Sequence, residues 1–300
     1  IMSVCNRDLS VINDAIVSIL EQTRPVAEIV ISIDYKDICH NHIDNIWGEL
    51  VTIVKTPPCH GKCGAAGRVR QYGMEHAKKK ATHWAFLDDD DAWLPDKIKT
   101  QMAMMHSEKV EMISSDAYIA PQPRCQNGKY TSWNMSDTKH FKKWNGEIFQ
   151  SYIEGRFGGP IPTRIRPRDL NTHNIFVTSS TIVSDKVIGT GFDKTLPNGQ
   201  EDYTLWKNVI LRTEAIWMHE PQVMYDNHHG KKCNHESTIP KTSKKQDQIT
   251  IKNNLGFNRD EPCDISCHYT TGGGPVDATV YELRGRRAPP SGISVDMHME

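Results

Sequence analysis

An excess of charge of either sign is missing from this chain. Its 36 Lys and Arg residues against 37 Asp and Glu leave a formal net charge of −1, which provides no footprint for nucleic acid or another polyanion. Long hydrophobic runs are missing too: no apolar stretch approaches membrane-spanning length, and no signal-peptide pattern opens the chain. No internal repeat stands out. Nothing marks an oxidising compartment, which disulfides would require, and the sequon Asn134 to Ser136 is too common a pattern to change that. The cytoplasm is therefore the expected location.

What is present describes an ordinary globular chain. A hydrophobic fraction of 37% and a charged fraction of 24% are enough for a real core, and 300 residues suit one large α/β domain with an appendage or two modest domains. Among the eight cysteines, Cys59 and Cys63 bracket His60, and Cys263 and Cys267 repeat that spacing before His268. Two readings fit them, a structural zinc site or scattered reduced thiols, and the commoner zinc spacing is C-x2-C.

The first half alternates strand and helix. Met2–Cys5 reads as a strand, followed by a helix with Ile12, Ile16, Ile19 and Leu20 on one face. Val26–Ile33, Leu50–Val54, His83–Leu87 and Val110–Ser114 read as strands. Helices are expected over Gly64–Lys80 and from Pro95 to about Ser107. Strands separated by helices imply right-handed crossovers and a parallel sheet. Ligands of such sheets bind outside the carboxyl ends of the strands. Asn6-Arg7, Asp34 and the run Asp88–Asp91 each end an expected strand, so they should meet on one edge.

Residues 120–172 show poor periodicity and read as long loops with a helix near Trp144–Glu154. Asn174–Ser184 reads as strand, Glu201–Leu211 as an amphipathic helix, and Glu214–Met218 and Gln222–Tyr225 as short strands. Beyond Gly230 the chain turns polar and Lys-rich, and Arg284–Glu300 reads as a flexible tail. The expected division is one α/β domain over 1–230 and a C-terminal extension over 231–300, partly flexible.

Four consecutive aspartates repel one another, and a bound cation normally offsets the cost. Oxygen ligands at a strand end suit Mg2+ or Mn2+. The alternative is a solvated acidic turn capping the next helix, although a cap needs one aspartate rather than four.

Phe86-Leu87-Asp88-Asp89-Asp90-Asp91-Ala92-Trp93-Leu94-Pro95-Asp96-Lys97-Ile98 closely resembles the DxD segment of family 2 glycosyltransferases, whose fold is GT-A, a Rossmann-like, mostly parallel sheet flanked by helices. Ser3-Val4-Cys5-Asn6-Arg7 resembles the family's opening strand, with Cys5 in place of the usual Tyr. Glu28–Asp34 resembles its second strand, but Tyr35-Lys36-Asp37 departs from the usual Asp-Gly-Ser continuation. Gly67–Gly73 resembles the Ala-Arg-Asn-x-Gly helix start, with Arg70 at the arginine position. Gly191-Phe192-Asp193 and Gly199-Gln200-Glu201-Asp202-Tyr203-Thr204-Leu205-Trp206 are similar to the family's second acidic block.

The resemblance implies an inverting transfer of a sugar from a nucleotide-sugar, by family habit a UDP-sugar, to the hydroxyl of a glycan, lipid-linked or protein acceptor. It implies Asp202 as general base and Asp88 and Asp90 as ligands of Mn2+ or Mg2+. Arg7, Asp34, Arg70, Asp89 and Glu201 would contact the nucleotide-sugar. His228 falls where related enzymes often place a histidine that closes the site, and it reads equally as a surface residue of the turn Asn227–Gly230. Arg164, Arg166 and Arg168 read as an anion-facing run or as a solvated loop. A catalytically inactive GT-A module, or a zinc-stabilised binding module, is the competing class.

Overall fold

The computed structural model describes residues 1–5, 7, 9–36, 48–58, 66–119, 125–126, 129–130, 138–171 and 173–226. The first strand, β1 (Met2–Val4), leads into helix α1 (Leu9–Leu20), whose buried Val11, Ile12, Ala15, Ile16 and Ile19 form the expected apolar stripe. β2 (Ile29–Ile33) is buried at every position, as strands of a sheet covered on both faces are. β3 (Val51–Lys55) and helix α2 (Ala66–Glu75) follow. β4 (His83–Ala85), β5 (Leu87–Asp88) and β6 (Ala92–Trp93) flank the aspartate run, and α3 (Lys97–Glu108) leads to β7 (Met112–Ile119). The rest comprises the short pair β8 (Cys125–Gln126) and β9 (Lys129–Tyr130), β10 (Lys142–Lys143), α4 (Gln150–Phe157), β11 (Arg164–Ile165), β12 (Ile182–Ser184), α5 (Asp185–Ile188), α6 (Glu201–Ile210) and β13 (Ala215–Tyr225).

The expected parallel sheet is present, in the order β3-β2-β1-β5 and parallel throughout. Its register aligns the strand ends: Ser3 pairs with both Ser32 and Asp88, and Val4 pairs with Ile33. Arg7, Asp34 and Asp89 therefore leave the sheet along one edge, as the strand pattern implied.

Five expectations need correction. The single strand His83–Leu87 is two, because the chain changes sheets at Phe86. β4 pairs with β12, and β5 pairs with β1. Fully buried Phe86 packs in one core with Phe192, Trp206 and Trp217, while its neighbour Leu87 packs in the other with Met2 and Ile31. Each such burial contributes about 1.5–3 kcal/mol, so adjacent residues serving separate cores favour the switch. The strand expected at Val110–Ser114 does not close the parallel sheet but becomes β7 of a mixed one, ordered β11-β13-β7-β12-β4. Asn174–Ser184 is strand only at Ile182–Ser184. A 3-10 turn occupies Thr178–Ser180, where the Ser180 and Thr181 hydroxyls donate to the Val177 carbonyl and compete with ladder formation.

The two short strands expected at the C-terminal side are one, β13, with a register shift between Met218 and Val223. Pro221 lies in that interval and supplies no ladder donor. Asp116 of β7 ties in the next segment: its buried carboxylate accepts from the backbone N–H of Asn145 (2.9 Å) and Gly146 (2.9 Å). The helix expected near Trp144–Glu154 is a π-helical turn, Trp144–Ile148, followed by α4.

Lys97, on the first turn of α3, is fully buried with its Nζ 4.4 Å from the Trp93 ring centroid and, among the described residues, no hydrogen-bond partner. Burial pushes this amine well below its ordinary 10.5. The unfolded chain then binds the proton more tightly, so the residue costs stability below its folded pKa and the cost fades as pH rises toward 10.5. Lys97→Met, close in volume and apolar, should therefore stabilise the fold by about 1–4 kcal/mol at neutral pH. Urea unfolding at neutral and alkaline pH checks this; equal or lower stability of the variant at neutral pH would contradict it.

Candidate active site

The turn after β5 is the centre of the sheet edge. Arg7, just past β1, donates from Nε to Asp89 Oδ1 (2.9 Å) and lies with Nη2 3.0 Å from Asp90 Oδ2. The Cys5 backbone N–H donates to the other Asp89 oxygen (3.1 Å). Burial raises the Asp89 carboxyl above the usual range, with Arg7 opposing the shift. Burial likewise pushes Asp90 up to about 8, again opposed by Arg7 and reinforced by Asp89 and Asp88. Asp91 is fully buried, and its oxygens accept from Ser179 Oγ and from the Asp226 backbone N–H (2.9 Å). Burial, then Asp90 and Asp88, hold it well above the ordinary carboxylate range. Asp88 has the most exposed side chain of the four aspartates.

Arg70, on α2, joins this turn to the second acidic motif. One guanidinium nitrogen is bonded to Asp88 Oδ1, and the other lies 3.3 Å from Glu201 Oε1 at the start of α6. Burial disfavours its charge, but Asp88 and Glu201 outweigh burial and raise its pKa. Glu201 is itself buried, which raises its carboxyl against the pull of Arg70. The close approach of α6 to α2 requires Gly67, because a Cβ there would lie 2.5 Å from Glu201 Cγ.

Asp202, next on α6, accepts at Oδ2 from Asn174 Nδ2 (3.1 Å) and Thr178 Oγ1 (3.0 Å), and at Oδ1 from the Tyr203 N–H (2.6 Å). Tyr225, at the end of β13, lies in the field of both groups. Burial, followed by the charges of Asp91, Asp88, Asp90 and Asp202, raises its hydroxyl pKa.

Other residues singled out from the sequence are placed as follows. Asp34 is buried one strand away on the same edge and accepts from the Lys36 N–H (2.9 Å). Arg164, in β11, and Arg166 pair with Glu214, and Arg164 also with Glu108, in exposed positions. His228, the two C-x3-C pairs, the sequon and the 230/231 boundary lie outside the described residues. Asn174, Thr178, Ser179 and Asp226 were not singled out from the sequence. Their contacts are hydroxyl, amide and backbone bonds that no periodicity marks.

Among the described residues, no group of three His, Cys, Asp or Glu side chains is arranged to hold a metal ion. Arg7 and Arg70 draw the carboxylates in different directions. The donor chemistry still suits a hard divalent cation: Asp88, Asp89, Asp90, Asp91 and Asp226 offer only oxygen and outnumber the guanidiniums beside them.

The model of the glycosyl transferase family 2 matches residues 1–170. A curated relative, the UDP-Glc:alpha-D-GlcNAc-diphosphoundecaprenol beta-1,3-glucosyltransferase WfaP of Escherichia coli, is 35% identical over 103 residues, or 34% of this chain and 39% of that protein. The crystal structure of S. aureus TarS 1-349 in complex with UDP aligns at 13% identity and a TM-score of 0.47, covering 75% of this chain and 59% of that one. The same fragment with UDP-GlcNAc aligns at 13% identity and a TM-score of 0.47, covering 75% and 56%. The chain thus spans less than two thirds of the length of these proteins.

Proposed function

Since the chain belongs to glycosyl transferase family 2, we propose that it moves a sugar, with inversion, from a nucleotide-sugar to the hydroxyl of a glycan, lipid-linked or protein acceptor. One observation carries the reading: Arg70 bonds Asp88 and Glu201 at once, so a donor-side acidic turn and a helix bearing a second carboxylate, Asp202, face one site. A UDP-sugar is the favoured donor, in keeping with the UDP-Glc named for the E. coli relative. The reading places the catalytic machinery within 1–230, with 231–300 as an extension, in the cytoplasm and without nucleic acid.

In this reading Asp34 and Asp89 hold base and ribose, and Arg7 and Glu201 complete the donor contacts. Asp202 takes the proton of the acceptor hydroxyl as its oxygen attacks the anomeric carbon. The bond to the diphosphate breaks on the opposite face. A single displacement of this kind inverts the centre, as in hydrolysis by a base opposite the leaving group. Arg70 opposes the negative charge that develops on the departing diphosphate. Asp88 and Asp90, with His228, would hold Mn2+ or Mg2+, which when bound would neutralise the same charge.

The test is release of nucleoside diphosphate across a panel of nucleotide-sugars, with Mn2+ or with EDTA. We expect one donor to be turned over, EDTA to abolish the signal, and Asp90→Ala to lower it by at least about 10²-fold. Turnover indifferent to EDTA would remove the metal from the reading. A folded protein that binds no nucleotide would overturn the reading itself.

A further inference from the structure

We propose that the segment His173–Ser180 is a two-sided strap in which neighbouring residues position the two halves of the site: Thr178, with Asn174, holds Asp202, and Ser179 holds the aspartate turn. The proposal rests on Asp202 being the general base.

The 3-10 turn at Thr178–Ser180 explains how neighbours reach different targets, because three residues per turn set successive side chains about 120° apart. Thr178 Oγ1 donates to Asp202 Oδ2 (3.0 Å), and Asn174 Nδ2 donates to the same oxygen (3.1 Å). Fully buried Ser179 faces the other way. Its hydroxyl accepts from the Asp88 backbone N–H (3.0 Å) and donates to Asp91 Oδ2, while its carbonyl accepts from Trp93 Nε1 (2.8 Å). The turn is fixed from behind by Ser114, whose hydroxyl lies 2.6 Å from Ser180 Oγ, and by Gln101, which donates to the Ser180 carbonyl (2.8 Å). One short segment thereby sets the separation between donor turn and base. A misplacement of about 1 Å at such a site costs about 10²-fold in rate. With two side-chain donors on Oδ2 and the Tyr203 N–H on Oδ1, the carboxylate is held in one rotamer.

Steady-state kinetics on the full chain, with the donor found by the panel and with UDP plus Mn2+ as the binding probe, separate the two roles. Thr178→Val should lower kcat about 10–100-fold with donor KM and UDP affinity within about twofold, and Thr178→Ser, which keeps the hydroxyl, should restore kcat to within about threefold. Ser179→Ala should raise donor KM and weaken UDP about tenfold. The opposite split, an unchanged kcat in Thr178→Val, or a parallel fall of both constants in both variants that tracks their melting temperatures, would overturn the strap. If Thr178→Val does not fold, Asn174→Ala carries the same kcat prediction. Full activity of Asp202→Asn would instead remove the base on which the proposal rests, whatever Thr178 does.

Discussion

Asp202→Asn is expected to lower kcat by about 10²–10⁴-fold, the usual contribution of a positioned proton acceptor, with little change in donor affinity. The substitution is isosteric. Its remaining carbonyl oxygen can still accept from Asn174 and Thr178, which bond only Oδ2 of the native carboxylate. Arg7, Asp89 and Asp34 leave the sheet edge on other strands and are untouched by it. What is lost is the capacity to take a proton, and with it the bond that Oδ1 accepts from the Tyr203 N–H. Initial rates at saturating donor, together with donor KM, check the result. A variant keeping more than about a tenth of kcat would return Asp202 to the role of an ordinary acid at a helix N-terminus.

The second large effect is on stability. Arg70→Met should destabilise the chain by about 3–5 kcal/mol, because it removes one member of a buried ion group and leaves the others. The loss falls unequally on the two partners. The Asp88 side chain is 29% exposed and can rehydrate, whereas that of Glu201 is 4% exposed and cannot. Burial already raises the Glu201 carboxyl, and Arg70 opposes it. Without Arg70 the folded pKa moves further above the ordinary 4.5, so the variant loses stability as pH rises through and beyond that value. The deficit should be smaller near pH 4.5 than at neutral pH. Adding Glu201→Leu should recover part of it, because the orphaned buried charge is then gone. Urea denaturation of the two variants at both pH values measures this; a deficit independent of pH would show that Glu201 is not its source.

Much of the site's frame is legible in the residues. The β-branched run ending at Asp34 and an apolar stripe over Leu9–Leu20 are local patterns with one structural solution. What was not legible depends on partners distant in sequence. His83–Leu87 reads as one apolar run, and only the presence of two cores divides it at Phe86. The Ser and Thr residues of 178–181 have acceptable strand character, and their hydroxyls choose a turn because acceptors come from Asp202, Asp91 and their own backbone. The double role of Arg70 requires α6 to lie against α2, and Gly67 marks that contact only once both helices are placed.

The change of sheet at Phe86 bears on how this protein can be cut. The residues matched by the family model end at 170, yet β4, within that stretch, has its ladder partner in β12, and β7 has its parallel partner in β13, both beyond it. A fragment trimmed to the matched region would expose one flank of β7 along its length and strand Phe86 without Trp206 or Phe192. The family-model match stops inside a shared core, so the smallest excisable piece with both acidic motifs must run through Tyr225.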